Sequence, residues 1–184
     1  MEFENEPALI DASRRGDTDA FALLVERHQR MIHALTYRMS GSEADAADLA
    51  QDAFVLAWQR LDTFRHDAKF SSWLYRIAVN HCLNWKGRAV REAKARAEWS
   101  DAEAASASSD SVDPRVALVP AALLKLPPKQ RAAIVLTVFD GMTHDAAAQV
   151  LGCSETTVSW RIFAAKRKLK RWLQQPRSRS GGPQ

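Results

Sequence analysis

The stretch from Thr143 to Trp172, THDAAAQVLGCSETTVSWRIFAAKRKLKRW, constrains the fold more than any other part of the chain. It sets a short helix, a tight turn and a longer basic helix in series. Thr143 is placed to cap the first helix, because its hydroxyl can accept one of the backbone N–H groups left free at a helix start. Ala146, Ala147, Val150 and Leu151 fall at helical spacing and give that helix a small apolar face. Gly152 follows where the chain must pass through a left-handed turn that a side chain would strain. Ser154 then caps a second helix, whose expected inward positions are Val158, Ile162, Ala165, Leu169 and Trp172. Small residues let two helices cross closely, as a helix-turn-helix requires. The start of the second helix carries Ser154, Glu155, Thr156, Thr157, Ser159, Trp160 and Arg161, where recognition helices meet base edges. Lys166, Arg167, Lys168, Lys170 and Arg171 come next and suit phosphates. An ordinary helical hairpin with a solvated basic face explains less of this order of cap, glycine, cap and basic run. The stretch reads as a DNA-binding element.

The remaining chain is also helical in pattern. Glycine is scarce, 7 in 184 residues, and sits at joints such as Gly16, Gly41 and Gly141, while alternating strand-like runs are missing. One helix is expected over about Glu6 to Arg15. A second runs from near Thr18 to Gly41 and buries Phe21, Leu24, Val25, Ile32, Leu35 and Met39. A third starts at Ser42, which with Asp45 forms the S-x-x-D variant of a capping box. Its inward face is Ala46, Leu49, Ala50, Ala53, Phe54, Ala57 and Leu61. On the opposite face Asp48, Asp52 and Gln59 share a narrow sector, with Asp45 and Val55 beside them. A solvated helix face is the ordinary reading. With no local cation to neutralise these carboxylates and Val55 exposed among them, a docking surface for a basic helix is the sharper one.

From Thr63 to Arg91 the chemistry changes. Phe64, Phe70, Trp73, Tyr75 and Trp85 alternate with Arg65, Lys69, Arg76, Lys86, Arg88 and Arg91. Trp73, Arg76, Asn80 and Asn84 recur at spacings of three and four, so they form one stripe beside an apolar face of Phe70, Leu74, Ile77, Ala78 and Trp85. Rings interleaved with cations suit single-stranded nucleic acid, where bases stack and phosphates are neutralised. Asparagine pairs with base edges and is a poor helix former without a local reason. Phe70 and Trp85 read more simply as core.

Charge follows the same division. Residues 1–64 hold 6 basic and 12 acidic side chains, 65–96 hold 8 and 2, 97–122 hold 1 and 5, and 123–184 hold 11 and 3. Two basic blocks parted by an acidic one imply two contacts with a polyanion. Residues 92–122, rich in Ala, Ser and acids, read as a linker that spans on the order of 100 Å if extended, and whose start can prolong the preceding helix. Asp113–Pro114 is a cap followed by a first-turn proline. LPP at 126–128 breaks that helix, and another is expected from Lys129 to Phe139. The tail PRSRSGGPQ from Pro176 is expected to be disordered.

Other functions are poorly supported. No long apolar run could span a membrane, and the acidic start lacks the pattern of a signal peptide. Cys82 and Cys153 are far apart without a CxxC, which fits a reducing compartment and opposes a disulfide scaffold or zinc site. His28 and His33 do not share a helix face, His81 and Cys82 point apart, and no phosphate loop or nucleophile elbow is present. No catalytic residue, cofactor or metal is expected.

EADAADLAQDAFVLAWQRLDTF, then FSSWLYRIAVNHCLNWKGR, then LPPKQRAAIVLTVFDGMTHDAAAQVLGCSETTVSWRIFAAKRKL resemble, in this order, the extracytoplasmic-function sigma factors of bacterial RNA polymerase. The resemblance runs from about Asp17 to Leu173. It implies two small helical domains: sigma region 2 over residues 1–91 and a helix-turn-helix region 4 over 113–175, joined by a flexible linker over 92–112. It also implies that Asp48, Gln51 and Asp52 contact core polymerase at the clamp helices of its largest subunit. Arg65 to Trp73, with Lys69 between them, match the loop that accepts a flipped base from the −10 element, and Arg76, Asn80 and Asn84 lie on the adjoining helix. Ser154, Glu155, Thr156, Thr157, Ser159, Trp160 and Arg161 match the reader of the −35 duplex, where Arg161 is the strongest candidate for a base or phosphate contact. Lys166, Arg167 and Lys170 add salt-dependent affinity. Asn84 stands where the family usually has Asp, and Trp160 where it has a small residue. Trp160 has two roles open to it: packing on a DNA sugar or thymine methyl, or joining the core. A cytoplasmic bacterial protein is implied, with an anti-sigma partner that could hold it at the inner membrane. The alternative is a helix-turn-helix regulator that does not join polymerase, which would have no need of the Asp48/Asp52 face.

Overall fold

The computed structural model describes residues 5–97 and 114–174. Every described element is helical. The order is α1 (Glu6–Arg14), α2 (Thr18–Ser40), α3 (Glu43–Gln59), a single 3-10 turn (Leu61–Thr63), α4 (Phe70–Ala97), α5 (Pro114–Leu124), α6 (Pro128–Ile134) prolonged by a π-helical turn (Val135–Phe139), α7 (His144–Leu151) and α8 (Glu155–Gln174). Most of the linker, Asp113 and the tail expected to be disordered lie outside the described residues.

The helix starts follow from local chemistry. The Asp17 carboxylate accepts the Ala20 N–H at 3.0 Å, the Ser42 hydroxyl accepts that of Asp45 at 3.3 Å, and Thr143 accepts that of Ala146 at 3.1 Å. Only half of the expected capping box forms, because the Ser42 N–H turns to the Ser40 hydroxyl at 3.4 Å. α2 and α7 end on Gly41 (φ 83°) and Gly152 (φ 59°), both left-handed. α4 continues to Ala97, so the start of the linker prolongs the preceding helix as expected.

α1 to α4 pack as one bundle, and α5 to α8 as a smaller one whose α7–α8 pair is the helix-turn-helix. The expected inward residues of α3 are buried, and Val158, Ile162 and Ala165 of α8 are buried as well. Leu169 and Trp172 pack half-buried at the core's edge. In α7, Ala148 joins Ala147 and Val150 in the core, while Ala146 and Leu151 are half-buried.

The two bundles share a junction that sequence separation hides. The buried residues form one continuous cluster through both, and α7 packs on α4 while α5 packs on α2. Arg131 of α6 lies at its centre, only 1% exposed. Its Nε donates to the Leu123 carbonyl at 2.9 Å, Nη1 to that of Met39 at 2.5 Å, and Nη2 to those of Leu124 and Leu126, the latter at 3.2 Å. Met39 lies in the last turn of α2, Leu123 and Leu124 in that of α5. Such turns leave carbonyls unpaired and carry partial negative charge. One planar guanidinium thus satisfies two helix ends, which offsets the cost of burying its charge and lowering its pKa. Gly41 is required here too, since a side chain on it would collide with Leu124.

A second junction contact joins Arg38 of α2 to Asp140, just past the π-helical turn, at 3.2 Å. The Phe139 ring lies 4.9 Å from the same guanidinium. Burial raises the Asp140 pKa, while Arg38 and the Tyr75 hydroxyl pull it down. Burial and this carboxylate together push the Tyr75 phenol up. Asp140 Oδ2 is buried without a hydrogen bond of normal geometry.

Candidate nucleic-acid interface

The expected functional residues separate onto three surfaces. The first is α3. Asp48, Gln51, Asp52, Val55 and Gln59 are all exposed along one stripe, opposite the buried Ala46, Leu49, Ala50, Ala53 and Ala57. One expectation is corrected. Asp52 is not without a local partner, because His81 of α4 places Nε2 3.0 Å from its Oδ2, a contact 29 residues away in sequence. Beside the stripe, α2 and α3 enclose an apolar groove of about 880 Å³ lined by Phe21, Val25, Phe54, Val55 and Trp58, with Gln51 at its edge. Sequence reading assigned Phe21, Val25 and Phe54 to the core. In the structure Phe54 is buried in the core and Phe21 and Val25 pack against it, and all three also line the groove.

The second surface surrounds the N-terminal half of α4. Phe64, Phe70 and Trp73 form a three-ring cluster with each pair of centroids 5.5 Å apart. Such contacts fix ring orientation beyond simple burial. Trp73 is half-buried, with one side open to a cavity of about 530 Å³. Arg65, Arg76 and Asn80 also line this cavity. Asn84 lines a neighbouring cavity of about 460 Å³, which shares Asn80 with the first and includes Asp52 and His81. Lys69 is exposed and lines neither cavity.

The loop that carries Phe64 and Arg65 is held by Arg14 of α1. Arg14 Nε donates to the Leu61 carbonyl at 3.3 Å, Nη2 donates to that of Phe64, and Nη1 lies 3.2 Å from His66 Nε2. Sequence reading missed Arg14, since nothing local distinguishes it from a solvated last-turn cation. Gln149 and Val150 of α7 line the Trp73 cavity from its other side. The helix-turn-helix therefore covers part of this surface.

The third surface is α8. Ser154 and Thr157 bond to each other at its start, Oγ to Oγ1 at 2.8 Å. The Ser159 hydroxyl pairs with His144 Nδ1 of α7 at 2.9 Å, and Arg161 folds back so that Nη1 lies 3.4 Å from Cys153 Sγ. Arg161 is half-buried on the helix flank rather than on the outward stripe. Glu155, Thr156, Lys166, Arg167 and Lys170 are exposed. Of the two roles open to Trp160, core packing is removed, because it is 62% exposed.

Among the described residues no cluster of His, Cys, Asp or Glu could hold a metal ion, and no helix is long and apolar enough to cross a membrane. His28 and His33 pair with Glu6 at 3.0 Å and Glu43 at 3.1 Å. Burial pushes the Cys82 thiol up to about 12.

Among the described residues, helices alone carry an acidic exposed stripe on α3, an aromatic-lined cavity and a basic helix-turn-helix. The family model for sigma-70 region 2 matches residues 24–92, and that for sigma-70 region 4 matches residues 117–169. The chain is 37% identical over 171 residues to the ECF RNA polymerase sigma factor SigM of Mycobacterium tuberculosis, covering 92% of this chain and 85% of that protein. It is 33% identical to the ECF RNA polymerase sigma-E factor of Escherichia coli, covering 92% and 94%. Among solved structures, CnrH in complex with the cytosolic domain of CnrY superposes with a TM-score of 0.68 at 32% identity, over 92% of this chain and 97% of that one. RpoE in complex with the anti-sigma factor NepR from Bartonella quintana gives 0.68 at 26% identity, over 85% and 98%. This chain belongs to the extracytoplasmic-function sigma factors of the sigma-70 family, alternative sigma factors that direct RNA polymerase to promoters. A stand-alone helix-turn-helix regulator would not account for the match across α2 to α4.

Proposed function

We propose that the three surfaces divide promoter recognition among them. α3 docks on core polymerase: a basic partner helix lies along Asp48, Gln51 and Asp52 with its apolar side on Val55 and the adjoining groove. The cavity of Arg65, Trp73, Arg76 and Asn80 takes a base of the −10 element extruded from the duplex, with Lys69 and Asn84 flanking the strand's path. Extrusion costs a few kcal/mol per base, and stacking on Trp73 with hydrogen bonds from Asn80 offsets it. α8 enters the duplex −35 element with Glu155 and Thr156 leading, while Lys166, Arg167 and Lys170 neutralise phosphates. Residues 1–91 and 113–175 then act as separate DNA-reading units joined by residues 92–112. Because Gln149 and Val150 line the Trp73 cavity, α7 must withdraw before a base enters. An anti-sigma partner in the bacterial cytoplasm, as NepR is for RpoE, would hold the chain out of action until released.

The observation that carries this reading is α3, whose polar stripe and Val55 stay exposed opposite its buried apolar face. Reversal of both charges, Asp48→Lys with Asp52→Lys, should weaken capture of core polymerase on the order of 100-fold while leaving duplex binding by α8 unchanged. Pull-down with sigma-free core enzyme and runoff transcription on a genomic template library check this. Unimpaired core capture by the double variant would remove α3 as the docking surface.

A further inference from the structure

Trp160 and Phe163 are the two most exposed large apolar side chains among the described residues, at 62% and 64%. They stand three residues apart on α8. At 100° per residue, Thr156, Trp160, Phe163 and Arg167 form a stripe on the side of the helix opposite Val158, Ile162 and Ala165. Isolated surface hydrophobics need no explanation. A Trp and a Phe side by side at the centre of an outward helix face do, because both rings stay in water while α8 buries smaller Val, Ile and Ala. Their setting is cationic: Lys166, Arg167 and Lys170 are exposed around them, and the Arg167 guanidinium lies 5.8 Å from the Phe163 ring.

That charge selects a polyanion as the occupant, and helical shape selects the major groove of a duplex. The groove floor offers an apolar ring one complementary group, the C5-methyl of thymine. Three polar groups near the helix start are engaged internally, Ser159 with His144, Arg161 with Cys153, and Ser154 with Thr157, while Glu155 and Thr156 stay exposed. The two rings of the outward stripe are therefore placed to discriminate beside Glu155 and Thr156. We propose that Trp160 and Phe163 are specificity-determining residues that read thymine, each packing its ring on a C5-methyl group in the duplex that α8 enters. This rests on the placement of α8 in the −35 element and adds a base preference to it.

The test uses holoenzyme assembled from the full chain and sigma-free core. A duplex is first selected from a random library, and each thymine in the protected −35 half is then replaced by deoxyuridine, which removes the methyl and keeps every hydrogen bond. One or two positions should lose affinity by about four-fold, the effect of one buried methyl. At one of them the loss should disappear in Trp160→Ala, and at the other in Phe163→Ala. Both variants should keep the wild-type salt dependence, since no phosphate contact is removed. Deoxyuridine tolerated everywhere, or penalised equally in wild type and variants, overturns the proposal and leaves α8 as a DNA helix. Wild-type affinity of both variants for every duplex also overturns it and gives the aromatic face to a protein contact. Failure of a Lys166→Ala, Lys170→Ala double variant to reduce the salt slope overturns the underlying placement of α8 as well.

Discussion

The Trp73 surface and the Trp160 surface place the same side chain in opposite settings. Trp73 is half-buried, packs against Phe64 and Phe70, and faces a half-open cavity that Gln149 and Val150 of α7 also line. Trp160 is 62% exposed on a helix whose outward face is open from end to end. A cavity with a pre-set aromatic wall suits a base that arrives alone, since little ordering remains to be done when it stacks. An open ridge suits a groove that arrives already folded. Under the proposed roles, the duplex reader is accessible in this conformation whereas the reader of opened DNA is partly covered by α7.

The largest effect should come from breaking the junction that keeps it shut. Arg131→Met fits a similar length into the site but strands carbonyls of Met39, Leu123, Leu124 and Leu126. Each carbonyl left without this donor costs about 1–3 kcal/mol where water does not replace it, and the thermal midpoint should fall by about 10 °C. The same variant should bind a single-stranded −10 oligonucleotide more readily than wild type, because α7 no longer holds its place on α4. Calorimetry and fluorescence anisotropy read the two effects. A stable variant with unchanged oligonucleotide affinity would mean the halves are not held by Arg131.

A smaller effect sharpens the contrast from the other side. Trp73→Ala should weaken binding of that oligonucleotide by about 1–3 kcal/mol, the usual contribution of one stacked base. It should leave duplex −35 binding alone. Trp73→Phe, which keeps a ring against Phe64 and Phe70, should recover most of the loss. Equal loss on both ligands would point to a damaged fold rather than a missing stacking platform.

How much of this the sequence displays depends on the range of the interactions. Thr143, Ser154 and Gly152 are legible because a cap and a left-handed turn act within three or four residues. The α3 stripe is legible because its inward face is apolar at helical spacing. Arg131 is not, since its burial depends on Met39, 92 positions away, and nothing near LPPKQR marks a cation as internal. Arg14 and the Asp52–His81 pair are hidden for the same reason, with partners 47 to 52 and 29 positions distant. Phe163 escapes for another: an aromatic on an amphipathic helix is ordinarily core, and only its position opposite Val158, Ile162 and Ala165 shows that it is not. The linker's reach says nothing of where its ends settle, so the packing of α7 on α4 is a tertiary result.

The smallest expected effect is one of sign, and it concerns Asp140. Burial is the largest influence on this carboxyl and raises its pKa, while Arg38 and Tyr75 lower it without cancelling the rise. A carboxyl whose folded pKa lies above its unfolded value stabilises the fold fully below the unfolded pKa, and this contribution is lost as pH rises through the folded pKa. Asp140→Asn has no such dependence. The midpoint of wild type minus that of Asp140→Asn should therefore decrease as pH is raised from 4 to 7, as measured by paired thermal melts. Arg38→Met in both backgrounds should move the decrease to higher pH while it lasts, because the cation that favours the ionised form is gone. A difference that instead grew with pH would show that the Arg38 ion pair outweighs desolvation. The charged carboxylate would then itself hold the end of the π-helical turn to α2, and this junction would be held by attraction rather than by packing.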